Sequence, residues 1–203
     1  PALADRLSER FVRPMSVNRM LALVPLAAEE AKRGNVVSDS FQELEREVEW
    51  QGRQLLLRPI RPEDENTLGD LLTSLAAEDS RMRFFDTMRK LPRQLLARFT
   101  QIDYEREMAL VAIERDANGC ERSLGEVRVV ADPDNVVADF ALVVSSSLKG
   151  KGLGQLLMAG IIDYARSRGI HELHGETLAG NLRMQDLARH CGFSVQAGSD
   201  PGT

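Results

Sequence analysis

Apolar residues recur along this chain with two periods, and the change from one to the other marks out its elements. Residues 54–60 (QLLLRPI) form a short apolar run, which predicts a strand. Leu68, Leu71, Leu72 and Leu75 then fall at helical spacing, behind Pro62 and the acidic Glu63, Asp64 and Glu65 that suit a first helical turn. Two short helices are predicted over 80–88 and 92–101, the first unusually rich in Arg and Phe (RMRFFDTMR when read from Arg81). Strands at 108–114 and 124–130 flank the turn signal Asp116-Ala117-Asn118-Gly119. A buried strand at 138–144 leads through Ser145, Ser146 and Ser147 into a glycine-rich loop. The helix that follows shows one apolar face in Leu153, Leu156, Leu157, Ile161, Tyr164 and Ala165, and stops at Gly169. A last strand is expected over 193–196. Ahead of Arg53 the pattern reads as helical at 5–12, at 17–33 and from Ser38 or Asp39 to Glu49, with Pro14 and Gly34-Asn35 as breaks. The predicted organisation is therefore a helical N-terminal extension over 1–50 and a main domain over 51–203.

Composition narrows the class. The chain has 203 residues, 43% hydrophobic and 28% charged, which is the profile of a soluble globular protein with room for a core. A net charge of -5 argues against nucleic acid as a partner, and no apolar run is long enough to span a membrane. A cytoplasmic location is expected. Cys120 and Cys191 form no CxxC pair and join no cluster with His171, His174 or His190, so neither a disulfide nor a metal site is expected. In the alternating run HELHGET, His171 and His174 read as solvent-facing strand positions.

The candidate chemistry lies in the loop Lys149-Gly150-Lys151-Gly152-Leu153-Gly154-Gln155. Glycines at a helix mouth let the backbone approach a ligand, and the free N–H groups and dipole of the first turn favour an anion. A phosphate-bearing ligand is implied. The string is neither GxxxxGK[ST] nor GxGxxG. Running off a strand as KxxGxG, it resembles the acetyl-CoA pyrophosphate loop of the GNAT acyltransferases, with Lys149 where that family prefers Arg or Gln. The element order also resembles that family. The resemblance implies an α+β fold with a mixed, mostly antiparallel central sheet flanked by helices. It also implies a further closing strand that the sequence does not reveal.

LLLRPIRPEDE, GEVR, DFALVV, LKGKGLG, YARSRGI and ARHCGF narrow the resemblance to the acetyltransferase domain of bacterial Pat-type protein lysine acetyltransferases, over about residues 50–195. What this implies is transfer of an acetyl group from acetyl-CoA to a protein lysine, on acyl-CoA synthetase-type enzymes. A lysine ammonium must lose a proton before its nitrogen can attack a thioester. In the Pat type a Glu on the strand ahead of the loop does this work, and Asp139 stands at that position; Glu126 in GEVR is the second candidate. Main-chain groups of Leu142, Val143 and Val144 are expected to pair with the pantetheine arm as an added strand would. Asn181 resembles the family's CoA-contacting Asn and equally suits a helix N-cap. Ala188 stands where many members carry a Tyr. Acetylation of a small amine, or acyl-CoA sensing without turnover, are the alternatives. The apolar Met20, Leu21, Leu23 and Val24 of the extension suggest packing on the main domain or on a second copy.

Overall fold

The computed structural model describes residues 17–24, 44–84 and 92–197. Their elements run β1 (Val17–Leu23), β2 (Arg46–Trp50), β3 (Arg53–Pro59), α1 (Glu65–Thr73), α2 (Ala77–Phe84) and α3 (Arg93–Thr100). Then come β4 (Glu107–Arg115), β5 (Glu121–Ala131), β6 (Val137–Val144), α4 (Leu153–Ser167), β7 (Glu172–Leu178), α5 (Leu182–His190) and β8 (Ser194–Ala197). One eight-stranded sheet has the order β2-β3-β4-β5-β6-β7-β1-β8. Every neighbouring pair is antiparallel except β6 with β7. This is the mixed, mostly antiparallel sheet that the resemblance implies.

Two apolar layers hold the sheet. On one face Leu153, Leu157, Met158, Ile161 and Ala165 of α4 pack on Leu110, Val127, Phe140 and Leu173. On the other, Leu68, Leu71 and Leu72 of α1, Phe84 of α2 and Phe99 of α3 cover Ala109, Val111 and Val143. A buried ion pair ties β3 to the turn before α1, with the two terminal Arg58 nitrogens each 2.7 Å from an oxygen of the Asp64 carboxylate.

The helical extension is corrected by the structure. Residues 17–23 form a strand, β1, inserted between β7 and β8 and antiparallel to both. Met20, Ala22 and Val24 are buried in the core of this same chain, while Arg19 and Leu23 face out. Apolar residues at 20, 21, 23 and 24 fit helical spacing, but the alternation of buried and exposed positions is that of a strand. β1 thereby supplies the additional strand that could not be found near the C-terminal end of the sequence. Residues 46–50, expected at the end of a third helix, form the edge strand β2, whose exposed Glu47 and Glu49 discourage pairing with another chain. The domain boundary expected at residue 50 falls inside the β2–β3 hairpin. The remaining helical expectations, over 5–12, 25–33 and 38–43, lie outside the described residues.

Candidate active site

β6 and β7 run parallel over three rungs, Val137↔Glu172, Ala138↔Leu173 and Asp139↔His174. Beyond Asp139 they part, β6 continuing to Val144 at the glycine loop while β7 stays paired with β1. Main-chain groups of β6 past the last rung thus have no β7 partner, and a cavity of about 1030 Å³ opens along them. Leu142, Val143 and Val144 line it, with Lys149, Gly150, Gly152, Gly154, Gln155 and Asn181 at one end and Asp139, His174, Glu176, Arg19 and Leu21 at the other.

The loop end is built for an anion. Gly152 is the N-cap of α4 with φ of 86°, a left-handed conformation that L side chains resist, and no side chain caps the helix. A Cβ on Gly154 would meet Leu187 Cδ2 at 3.0 Å, so a glycine lets α5 close against the loop. From the opposite side the Trp50 indole N–H donates to the Lys151 carbonyl over 2.8 Å, which fixes the loop to the β2–β3 hairpin. Lys151 itself and Leu153 are absent from the cavity wall; the Leu153 side chain is fully buried in the core.

Lys149 is ion-paired with Asp79 of α2. Burial pushes the Asp79 carboxyl up, but hydrogen bonds from Lys149 and Ser146, with the charges of Lys149 and Arg183, hold it below its ordinary value. The Ala76 N–H, one residue before α2, donates to Ser146 Oγ over 2.9 Å and adds a second tie between the start of α2 and the segment that leads into the loop. The Asn181 side chain accepts the Met184 N–H over 3.2 Å as the N-cap of α5 while it lines the cavity.

The structure separates the two candidate carboxylates. Asp139 stands at the fork, on the cavity wall. Glu126 is 3% exposed, does not line the cavity, and lies 2.7 Å from Arg128 Nε in a buried ion pair. A carboxylate enclosed with a guanidinium is poorly placed to meet an incoming amine, so Glu126 reads as structural. Above this pair lies Arg83 of α2, a cavity-lining residue whose enclosed Nε has no hydrogen-bond partner among the described residues. Burial, reinforced by the charge of Arg128 and opposed by that of Glu126, pushes the Arg83 guanidinium down to about 10.

Residues 54–194 match the model of the acetyltransferase (GNAT) domain, well over half of the chain. The chain belongs to the GNAT acetyltransferase family. This acetyltransferase is 30% identical over 152 residues to a curated acetyltransferase of Pseudomonas aeruginosa, covering 75% of the chain and 81% of that relative. It is 27% identical over 143 residues to the acetyltransferase Pat of Mycolicibacterium smegmatis, covering 70% of the chain but 41% of Pat. Among solved structures, the GNAT domain of S. lividans PAT superposes with a TM-score of 0.68 at 24% identity, over 76% of this chain and 95% of that one. Spermidine N-acetyltransferase of Vibrio cholerae, solved with CoA and spermine, superposes at 0.56 with 19% identity, over 69% and 80% of the two chains. These two likenesses establish the fold.

Acetyl-CoA is the acyl donor of the GNAT acetyltransferase, and the residues present fit it. Gly150, Gly152, Gly154 and Gln155, with the first-turn N–H groups of α4, would hold the pyrophosphate, and the open edge of Leu142, Val143 and Val144 would pair the pantetheine amides. Bound there, the donor supplies a thioester, the activated acyl group that an amine can displace. Arg183, His174, Arg83 and Trp50 are site residues that sequence reasoning misses. Arg183 lies two residues past Asn181 and lines the cavity, and Arg83 lies in the Arg- and Phe-rich run, so both have a local signal. His174 and Trp50 depend on contacts across the sheet and have none.

Proposed function

We propose that this acetyltransferase modifies a protein lysine, on an enzyme of the acyl-CoA synthetase type. The observation that carries the reading is Asp139 at the fork. It stands at the position of the Pat-type acid, on a cavity wall that also bears Glu176, so a cationic lysine head meets carboxylates where the pantetheine edge begins. Likeness to Pat of Mycolicibacterium smegmatis adds support. Asp139 holds the ammonium while a neighbouring base takes one of its protons; the amine nitrogen then attacks the thioester carbon, the C–S bond breaks, and the second nitrogen proton leaves on the thiol. The unpaired Cys120 and Cys191 suit a reducing compartment, and we place the reaction in the cytoplasm.

Incubation of an acyl-CoA synthetase with the full chain and acetyl-CoA, followed by mass spectrometry of the synthetase, tests this reading. A gain of one acetyl group on a single lysine, slowed with Asp139→Asn, is the expected result. An unmodified synthetase, together with rapid thiol release in the presence of a small amine such as spermidine, would overturn it in favour of a small acceptor. Met20, Ala22 and Val24 are buried in their own domain, whereas Leu23 of the same strand faces out, so a contact with a second copy stays a separate proposal. The lysine reading does not depend on it.

A further inference from the structure

Asp139 and His174 are partners across the last parallel rung before β6 and β7 part. Paired residues on neighbouring strands project to the same face, and the strands lie about 4.8 Å apart, so a carboxylate and an imidazole flank one spot. Both line the cavity there, and Leu21 of β1 closes the far side of His174. The imidazole is also oriented, since His174 Nε2 lies 3.0 Å from Glu172 Oε2 on the same face of the same strand. A carboxylate can only accept in such a bond, so Nε2 carries the hydrogen and the lone pair falls on Nδ1. No partner for Nδ1 occurs among the described residues.

The reaction needs a proton acceptor beside the acceptor ammonium. Carboxylates as a class titrate about six units below a lysine ammonium and imidazoles about four, so an imidazole takes that proton with the smaller uphill step. Asp139 is one methylene shorter than the Glu of the Pat type, and the histidine stands on the adjacent strand.

We propose that His174 is the proton acceptor of the acetyl transfer, held in the required tautomer by Glu172, while Asp139 holds the ammonium. This rests on the acceptor being an amine and not on that amine belonging to a protein. Nδ1 takes one proton from R–NH3+, leaving R–NH2. The nitrogen lone pair forms the C–N bond at the thioester carbon, and the C–S bond breaks. The second nitrogen proton goes to the departing thiolate, so the products are the amide, the thiol and an imidazolium that returns its Nδ1 proton to water, the His174 side chain being 43% exposed. The charged groups on this stretch of wall are Glu176 of β7, Asp139 of β6, Arg19 of β1 and Arg83 of α2, and Glu172 of β7 contacts the ring from outside the cavity.

The test uses the full chain with saturating acetyl-CoA and a lysine-containing peptide as probe, following thiol release across pH. His174→Gln is expected to lower kcat roughly 100- to 10,000-fold, to abolish the acidic limb of the kcat/KM profile and to leave acetyl-CoA affinity unchanged. Glu172→Gln keeps the base but no longer fixes the hydrogen on Nε2, because an amide can donate as well as accept, so kcat falls by less than in His174→Gln and the acidic limb survives. Nitrogen-15 NMR of the imidazole in the CoA complex reads the tautomer directly. A His174→Gln enzyme with the parental rate and limb, or a neutral imidazole protonated on Nδ1, would overturn the proposal. If His174→Gln fails to fold, the Glu172→Gln rate and the tautomer still decide. Should the parent not turn over the peptide, the lysine reading fails on its own, and the tautomer alone decides the role of His174.

Discussion

At the phosphate end of the cavity, the main contributing groups lie in one continuous segment from Leu142 to Gln155, flanked by Asn181 and Arg183 at the start of α5. The acceptor end instead assembles Asp139 from β6, His174 and Glu176 from β7, and Arg19 and Leu21 from β1, more than a hundred residues away. One end is set by local chemistry, a loop and the helix it opens. The other exists only because three strands lie side by side in a given register. An anion site tolerates such local encoding because main-chain N–H groups do the binding. An acid–base site needs side chains aimed at one point and so depends on tertiary placement.

The sharpest way to break the phosphate end is Gly152→Asp. It places a carboxylate beside the pyrophosphate and a side chain at a φ of 86°, and acetyl-CoA binding should fall below detection by calorimetry. The nearest atoms to a Cβ there are 3.9 Å away, so crowding is not the cause. Gly152→Asn, which tolerates the left-handed region and carries no charge, should therefore retain binding within about tenfold. Equal loss in both variants would assign the effect to backbone shape.

At the acceptor end Asp139→Asn removes the charge that holds the ammonium, so kcat/KM for the amine should fall roughly 10- to 100-fold with acetyl-CoA affinity nearly intact, and Asp139→Glu, which keeps the charge, should retain most of the parental activity. Steady-state kinetics paired with calorimetry checks both. Glu126→Gln tests the contrast from the other side. It removes the nearer charge beside buried Arg128, which keeps the Phe99 carbonyl and the more distant Glu107, so the expected effect is a stability loss of about 1 to 3 kcal/mol in denaturant unfolding. A folded Glu126→Gln enzyme at parental stability but without turnover would return Glu126 to the base role.

Smaller effects are expected where the two ends meet. Trp50→Phe removes one hydrogen bond to the loop, worth about 1 kcal/mol, and should weaken acetyl-CoA roughly fivefold in calorimetry without changing kcat. The Lys149–Asp79 pair has a pH signature. The Asp79 carboxyl is depressed in the folded state, so its contribution is present above the ordinary carboxylate value and lost as pH falls through the folded one. Thermal melts of the parent and Asp79→Asn should differ at neutral pH and converge as the pH drops below about 4. A constant gap would show that Asp79 acts through packing alone.

The same contrast governs what can be read from residues alone. The glycine loop, the apolar face of α4, the Pro62 turn and the hairpin at 116–119 carry their signals within a few positions, and the structure has each where the sequence puts it. β1 does not, because its apolar spacing fits a helix as well as a strand until its partners β7 and β8 are known. β2 does alternate, with Glu47 and Glu49 outward and Val48 and Trp50 inward, but over four residues the pattern is too short to outweigh a helical reading of the run before it. His174 reads as solvent-facing in the sequence for a related reason, since Asp139 becomes its neighbour only across the sheet. Glu126 looks available beside Arg128 in the sequence, and only burial reveals that the two satisfy each other.

The position of β1 also dictates an order of assembly. β8 has β1 as its strand partner, and the Ser194 hydroxyl that donates to the Leu21 carbonyl comes 173 positions later in the chain. Closing so long a loop costs about 3 kcal/mol more in chain entropy than closing a four-residue hairpin, because the cost rises as three-halves RT ln n. The β1–β7 pairing spans nearly as many positions, so one long closure serves both seams of β1. Since Leu21 and Arg19 of β1 line the acceptor end, that closure is expected to complete the acceptor wall late in refolding, after the locally encoded anion cradle, an order that pulsed hydrogen exchange would read.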